Sequence, residues 1–218
     1  GAGRMNRGLL IIGAGGHGKV VADTARQQGQ WDRFAFLDDD TTRSGNIVGI
    51  PVLGDFRAAT RLRRDYTDAV VAIGNAVLRL RMIAELADQG FNLPVIQHPS
   101  AAISSFASLR DGCVVFAQAA INADATLGLG CIVNTGSTVD HDCKLADGVH
   151  LAPGAHLAGG VHIGHSSWIG IGACVRENIT VGDRVTVGAG AAVVADVESE
   201  LTVLGVPASA AQGSINRS

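Results

Sequence analysis

Aromatic side chains are nearly missing from this sequence: two Trp, one Tyr and six Phe amount to 4% of 218 residues. Rings supply much of the bulk of a wide core, so the interior expected here is narrow and aliphatic. An excess of either charge is missing as well. With 17 basic against 20 acidic residues and a formal net charge of −3, the chain offers no footprint for nucleic acid or an acidic membrane surface. Long apolar runs do not occur near the start. Leu9 to Ile12 is the longest there, far too short for a signal peptide or a membrane span, and a cytoplasmic protein is expected. No CxxC pair is present among the four cysteines, which removes a common zinc and redox spacing. Gly1 to Arg4, ahead of Met5, reads as a leading remnant and carries no weight.

What is there is a lattice. From Ile103 to Val193 an aliphatic residue falls on every sixth position, through Leu109, Val115, Ile121, Leu127, Val133, Val139, Leu145, Leu151, Leu157, Ile163, Ile169, Val175, Val181 and Val187. Four residues after each stands a small or branched one, from Ala107 and Cys113 to Ala191 and Val197. Neither the helical period of about 3.6 nor the strand period of about 2 generates this pattern over such a length, whereas the hexapeptide repeats of a parallel β-helix do. Three hexads close one triangular coil of 18 residues. Coils stacked about 4.8 Å apart predict roughly five coils and a smooth prism roughly 25 Å tall. Cys113, Cys131 and Cys143 occupy the small inward step and Cys174 lies one further on, so packing explains the cysteines better than a disulfide or metal.

Ahead of the prism the pattern changes. Leu9 to Ile12 reads as a buried strand running into Gly13-Ala14-Gly15-Gly16-His17-Gly18, a G-x-G-x-x-G arrangement that lets backbone approach a phosphate at a helix start. A helix from Lys19 to Gln28 ends at Gly29; a second strand, Phe34 to Leu37, ends in Asp38, Asp39 and Asp40. A helix around Phe56 to Arg64 precedes a third strand, Ala69 to Ile73, which ends in Gly74-Asn75 and opens a helix from Val77 to Gln89. Nucleotide-type features at the ends of parallel strands fit an open α/β sheet. Only about half of the doubled unit that a dinucleotide needs is present, which favours a mononucleotide; a small docking domain with a glycine-bearing tight turn is the alternative. The division expected is a nucleotide-binding α/β domain over 5–97, a β-helix over 98–200 and a tail over 201–218, with His98 before Pro99 as a linker residue.

Histidines 141, 150, 156, 162 and 165 crowd the prism sequence. A metal site within one chain would need side chains stacked 18 or 36 residues apart, but these are separated by 3, 6, 9, 12, 15, 21 and 24, and His150, His156 and His162 should point to three different corners. The other chemistry is acid–base. His141 lies in Asp140-His141-Asp142, and a carboxylate beside an imidazole fixes its tautomer and raises its basicity. Spacing alone leaves a solvated surface histidine equally open.

Five motifs in order carry a resemblance over nearly the whole chain: Gly13-Ala14-Gly15-Gly16-His17-Gly18, Phe36-Leu37-Asp38-Asp39, Ala72-Ile73-Gly74-Asn75, Val133-Asn134-Thr135 with Val139-Asp140-His141-Asp142-Cys143, and Gly205-Val206-Pro207-Ala208. Together with the hexad register they resemble the nucleotide-sugar acyltransferases grouped with sialic acid O-acetyltransferases. The resemblance implies a Rossmann-like α/β domain followed by a left-handed parallel β-helix, acetyl-CoA as cosubstrate with no metal, a homotrimer with coenzyme A between adjacent prisms, and N-acetylation of a nucleotide-linked 4-amino-4,6-dideoxy sugar. GDP-perosamine, in O-antigen biosynthesis, is the substrate favoured; a UDP-linked bacillosamine-type sugar or a sialic acid hydroxyl is the alternative, and a metal-dependent hydratase or a non-catalytic scaffold is more remote. By the same resemblance Gly15, Gly16, His17, Asp38, Asp39 and Gly74 hold the nucleotide, His141 is the general base, and Asp142 raises its basicity. Asn134 and His150 fall near the reacting groups and acyl donor, and Gly159, Ile171 and Ala189 line the coenzyme A groove. Ala189 stands where glycine is common, and Ser209 replaces a frequent basic residue.

Overall fold

The computed structural model describes residues 7–211; Gly1 to Arg4 and the end of the expected tail lie outside these. The chain divides into two compact units at Pro99 and Ser100. Among the described residues no helix is long and apolar enough to cross a membrane.

The first unit is built on a three-stranded parallel sheet in which Gly8–Ile12 lies between Arg33–Leu37 and Asp68–Val71. Central strand β1 (Gly8–Ile12) is buried along its whole length, as an uninterrupted apolar run requires. It feeds helix α1 (Gly16–Gln28), stopped by Gly29 in the left-handed conformation, where the missing Cβ removes the steric cost. Strand β2 (Arg33–Leu37) follows, then a small hairpin of β3 (Asn46–Ile47) and β4 (Ile50–Pro51) that periodicity did not indicate. The expected helix near residue 56 is only a 3-10 turn, Phe56–Ala58, running into α2 (Ala59–Leu62). Strand β5 (Asp68–Val71) leads to α3 (Ala76–Asp88), whose start is capped by the Asn75 side chain accepting from the Leu78 N–H at 2.9 Å, an N-cap of ordinary kind. Leu10, Ile12, Leu37, Val71, Met82 and Leu86 form the core between sheet and helices.

The second unit is a parallel β-solenoid. Two-residue strands pair with the strand 18 residues on, as in Ala120 with Thr138 and Thr138 with His156, and three sheets result. Every aliphatic hexad position from Val115 to Val193 is buried, and so is every small position from Cys113 to Val197. Ile103 and Leu109 are only partly covered because they end the stack. One sheet holds six strands, Ala102–Ile103 to Ala192–Val193, whose intervals of about 4.8 Å span the height of roughly 25 Å that the hexads imply. Thr202–Leu204, expected as tail, adds a further strand beside Thr186–Val187 at an offset of 16 and is itself paired by Ser209–Ala210. That closing pair covers a sheet edge that would otherwise stay open.

The corners follow a second six-residue rule. Every sixth residue from Gly112 to Gly190 has positive φ, and where glycine is replaced the residues are Gln118, Asp124, Asp142, Ser166, Asn178 and Arg184. Aspartate and asparagine tolerate that conformation better than most side chains, so Asp142 is at once a turn residue and a neighbour of His141.

Candidate functional site

A pocket of about 390 Å³ opens at the carboxyl ends of the parallel strands of the first unit, lined by Gly13, Gly15, Gly16, His17, Asp38, Asp39, Arg43 and Gly74 over an apolar floor that includes Ile12, Leu37, Leu78 and Met82. All six nucleotide-holding residues expected from the sequence are on its wall. Its geometry is set by glycine. A Cβ at Gly18 would stand 2.0 Å from the Gly13 oxygen, so α1 can approach the loop only without one, whereas Gly16 has nothing within 4 Å on its open side. Gly15 caps α1 without a side chain, and the first-turn N–H groups, which have no intrahelical acceptors, suit an anion.

Asp38 organises the loop rather than only facing it. Its carboxylate accepts from the Ala14 N–H at 2.7 Å, from the Asp40 N–H at 2.8 Å and from the Arg43 guanidinium at 3.0 Å. Burial alone would push this carboxyl up, but those donors outweigh it and hold it below its ordinary value. Asp39 accepts from the Phe56 N–H at 2.8 Å. His17 is pushed down to about 4, first by burial and then by the charge of Arg79, so its imidazole is neutral near pH 7. Arg79, fully buried, donates to the carbonyls of Ile73 and Gly74. Arg43 was not singled out from the sequence; the acidic triplet before it was the only signal.

On the solenoid His141 stands at a corner. Its Nδ1 lies 2.7 Å from an Asp142 carboxylate oxygen, and both side chains are more than 60% exposed. Asp140 accepts from the His141 N–H and from Asn122, each at 2.8 Å, which fixes the corner backbone. The hydrogen bond to Asp142 raises the His141 pKa above its ordinary 6.5, against the opposing effect of desolvation, and the two neighbouring carboxylate charges add to the rise. With Nδ1–H donated to Asp142, Nε2 carries the lone pair. Gly159 lies one coil on, and a Cβ there would be 2.5 Å from Cε1 and Nε2 of His141. The imidazole therefore lies over a backbone that only glycine leaves bare. The ladder uses the N–H of Ala158 and of Gly160, the latter to the His141 carbonyl at 2.9 Å, leaving the Gly159 N–H outside it.

The remaining expected residues gather elsewhere. Asn134 and His150 meet side chain to side chain at 3.3 Å, and Trp168, missed in the sequence, stacks on His150 with centroids 5.4 Å apart. Ile171 and Ala189 occupy successive levels of one corner, joined by the Gly190 N–H to the Ile171 carbonyl at 2.8 Å, and Ile171 is 57% exposed. That corner follows the sheet of His150, whereas His141 and Gly159 follow the sheet of Thr138 and His156. One chain thus carries two groups on two corners. His150, His156 and His162 are on strands of three different sheets, rather than at corners. Cys113, Cys131 and Cys143 are buried, but Cys174 is exposed on a strand because it falls on the outward position. The Cys143 thiol donates to the Ala158 carbonyl at 3.2 Å and burial raises its pKa, the reverse of what a nucleophilic thiol needs.

Comparison with known proteins joins the two units. Residues 8–86 match the PglD N-terminal domain. The acetyltransferase domain of PglB from Neisseria gonorrhoeae, solved in complex with acetyl coenzyme A, is 46% identical over 95% of this chain and 100% of that one, with a TM-score of 0.92. A variant of perosamine N-acetyltransferase from Caulobacter crescentus, in complex with CoA and GDP-perosamine, is 41% identical over 94% of this chain and 97% of that one, with a TM-score of 0.90. The chain belongs to the PglD-like sugar N-acetyltransferases. A curated relative, the UDP-N-acetylbacillosamine N-acetyltransferase of Bacillus subtilis (strain 168), is 36% identical over 117 residues, 51% of this chain and 52% of that enzyme's length. The match thus spans about half of the curated enzyme. On the corner of Ile171 and Ala189 the face at Gly190 is open and Ile171 is exposed, whereas Gly159 is covered by the His141 ring.

Proposed function

We propose that this protein transfers the acetyl group of acetyl-CoA to the 4-amino group of a nucleotide-linked 4-amino-4,6-dideoxy sugar, with His141 as general base. The observation that carries this reading is the exposed His141 imidazole, oriented by Asp142 and lying over Gly159. Acetyl-CoA supplies an acetyl group activated as a thioester. His141 Nε2 takes the proton that the attacking nitrogen sheds as the C–N bond forms; the C–S bond then breaks, and the His141 imidazolium gives that proton to the departing sulfur, which leaves as the thiol of coenzyme A. The Gly159 N–H is the donor assigned to the developing oxyanion. Asp142 stabilises the imidazolium without itself becoming protonated. Gly15, Gly16, His17, Asp38, Asp39 and Gly74 hold the nucleotide, Asn134 and His150 lie by the reacting groups, and Gly159, Ile171 and Ala189 line the coenzyme A groove. Because these last residues occupy two corners of one prism, the reading includes a homotrimer in which the corner of one chain faces that of the next.

GDP-perosamine is the favoured acceptor, since a relative of 41% identity binds it; the curated Bacillus enzyme favours a UDP-linked bacillosamine-type sugar as second reading. Thiol release from acetyl-CoA with GDP-, UDP- and dTDP-linked 4-amino sugars tests both. Release with the GDP-sugar above the others is expected; none with any of them overturns the proposal.

The pH profile reads the base directly. His141 acts in its neutral form, so turnover rises as pH passes its pKa, and the Asp142 hydrogen bond places that rise above pH 6.5. Asp142→Asn keeps an acceptor for Nδ1–H and a side chain suited to positive φ while removing the charge. The acid limb of the profile is expected to move to lower pH, with a lower plateau. An unmoved limb in this variant would separate the titrating group from His141.

A further inference from the structure

We propose that Arg43 is the cation that binds the diphosphate of the nucleotide sugar, sharing that charge with the amino-terminal turn of α1. This rests on the nucleotide reading of the pocket in the first unit. Two phosphates bring concentrated negative charge to a wall that already holds Asp38, Asp39 and, beside them, Asp40. Backbone N–H groups at α1 supply about half a positive charge, which does not balance such a ligand. His17 cannot make up the difference, because its imidazole is neutral near pH 7. Arg79 is committed below the floor to the carbonyls of Ile73 and Gly74. Among the described residues lining the pocket, Arg43 alone is a permanently charged cation.

Its position is as telling as its charge. A methyl at Gly15 would lie 3.5 Å from Arg43 Nη1 and 3.7 Å from Cζ, so the guanidinium stands over the cap of α1, where the helix N–H groups converge. It is held there by Asp38 at 3.0 Å and Asp40 at 3.5 Å, yet its side chain stays 45% exposed. A guanidinium has five donors in a planar fork, so Asp38 can keep one edge while a phosphate takes another. The Asp38 carboxylate thus joins three things: the glycine loop through Ala14, its own turn through Asp40, and the anion-binding arginine. Asp38 aims the cation.

Equilibrium binding of GDP, UDP and dTDP, and of guanosine, uridine and thymidine, separates a phosphate contact from bracing of the loop. Wild type, Arg43→Ala, Arg43→Lys and the surface control Arg64→Ala, exposed and away from the pocket wall, are compared, with NMR shift titration for the weakly held nucleosides. For whichever base the wild type binds, Arg43→Ala is expected to weaken the diphosphate at least about tenfold, the scale of a hydrogen bond to a charged group. The nucleoside should change by less than about twofold on the same scale, and the salt dependence of diphosphate binding should flatten. Arg43→Lys, which keeps the charge and loses the fork, should fall between. Equal weakening of nucleoside and diphosphate, or no weakening of either, overturns the role of Arg43 while leaving the nucleotide pocket in place. Failure of the wild type to bind any of the three diphosphates overturns the pocket reading and the Arg43 role together.

Discussion

His141→Asn is expected to lower turnover by about 10²- to 10⁴-fold, the range that a positioned general base supplies, and to leave nucleotide affinity within about twofold by the same reasoning. The first part follows from what the side chain does. Asparagine keeps a polar group at the corner but has no lone pair able to take a proton at neutral pH. The second part follows from where His141 is: none of the residues lining the pocket of the first unit belongs to the solenoid. Steady-state thiol release and calorimetric nucleotide binding on the same preparation measure both. A loss of turnover below about tenfold would remove His141 from the proton transfer, since even weak general-base catalysis exceeds that. Because the side chain is 63% exposed and fills no interior space, the variant should melt with the wild type, and a lost fold cannot stand in for a lost base.

Gly159→Ala is the second large effect, and it touches no ionisable group. Gly159 has no positive φ, so alanine fits the backbone and should even gain about 0.4–1 kcal/mol from a less disordered unfolded chain. Its methyl, however, would stand 2.5 Å from the imidazole carbon Cε1 and nitrogen Nε2, a separation that non-bonded atoms do not sustain. The exposed ring is the softer partner and turns aside. Turnover is expected to fall by about 10²-fold or more, the cost of misplacing a catalytic group by about 1 Å, while the melting temperature holds or rises. The decisive comparison is the double variant. If Gly159→Ala acts by displacing His141, adding it to His141→Asn should cost little more, because residues acting as one unit are strongly non-additive. Full additivity would mean that the glycine serves a separate purpose.

The unequal legibility of the sequence has physical causes. The solenoid was readable because burying the same two positions of every six on the inside of a regular prism leaves a period in the chain, and every aliphatic position from Val115 to Val193 is inside. The turn rule that places Asp142 at positive φ shares that period yet was not read, since glycine, aspartate, asparagine, serine, glutamine and arginine all fill it and share no polarity. Asn122 behind Asp140 and Trp168 on His150 were missed for a simpler reason: each stands 18 residues from its partner, one coil away, and that offset was applied to pairs of histidines alone. In the first unit Asp38, Asp39 and the glycines announced themselves at strand ends. Arg43 did not, because its place over Gly15 depends on the turn that follows β2.

By itself the sequence determined the repeat, the parallel strands before it, the glycine loop and the inward-facing cysteines, because each is a local or periodic demand of burial and backbone sterics. Which side chains meet was decided by the tertiary structure alone. The coil offset of 18 sets Gly159 beneath His141, the corner on which each hexad falls separates Gly159 from Ile171, and the return of the chain after Leu37 lays Arg43 across the start of α1. These are contacts between residues distant in the chain, and their distances come from how the coils and the sheet close, which no local preference encodes.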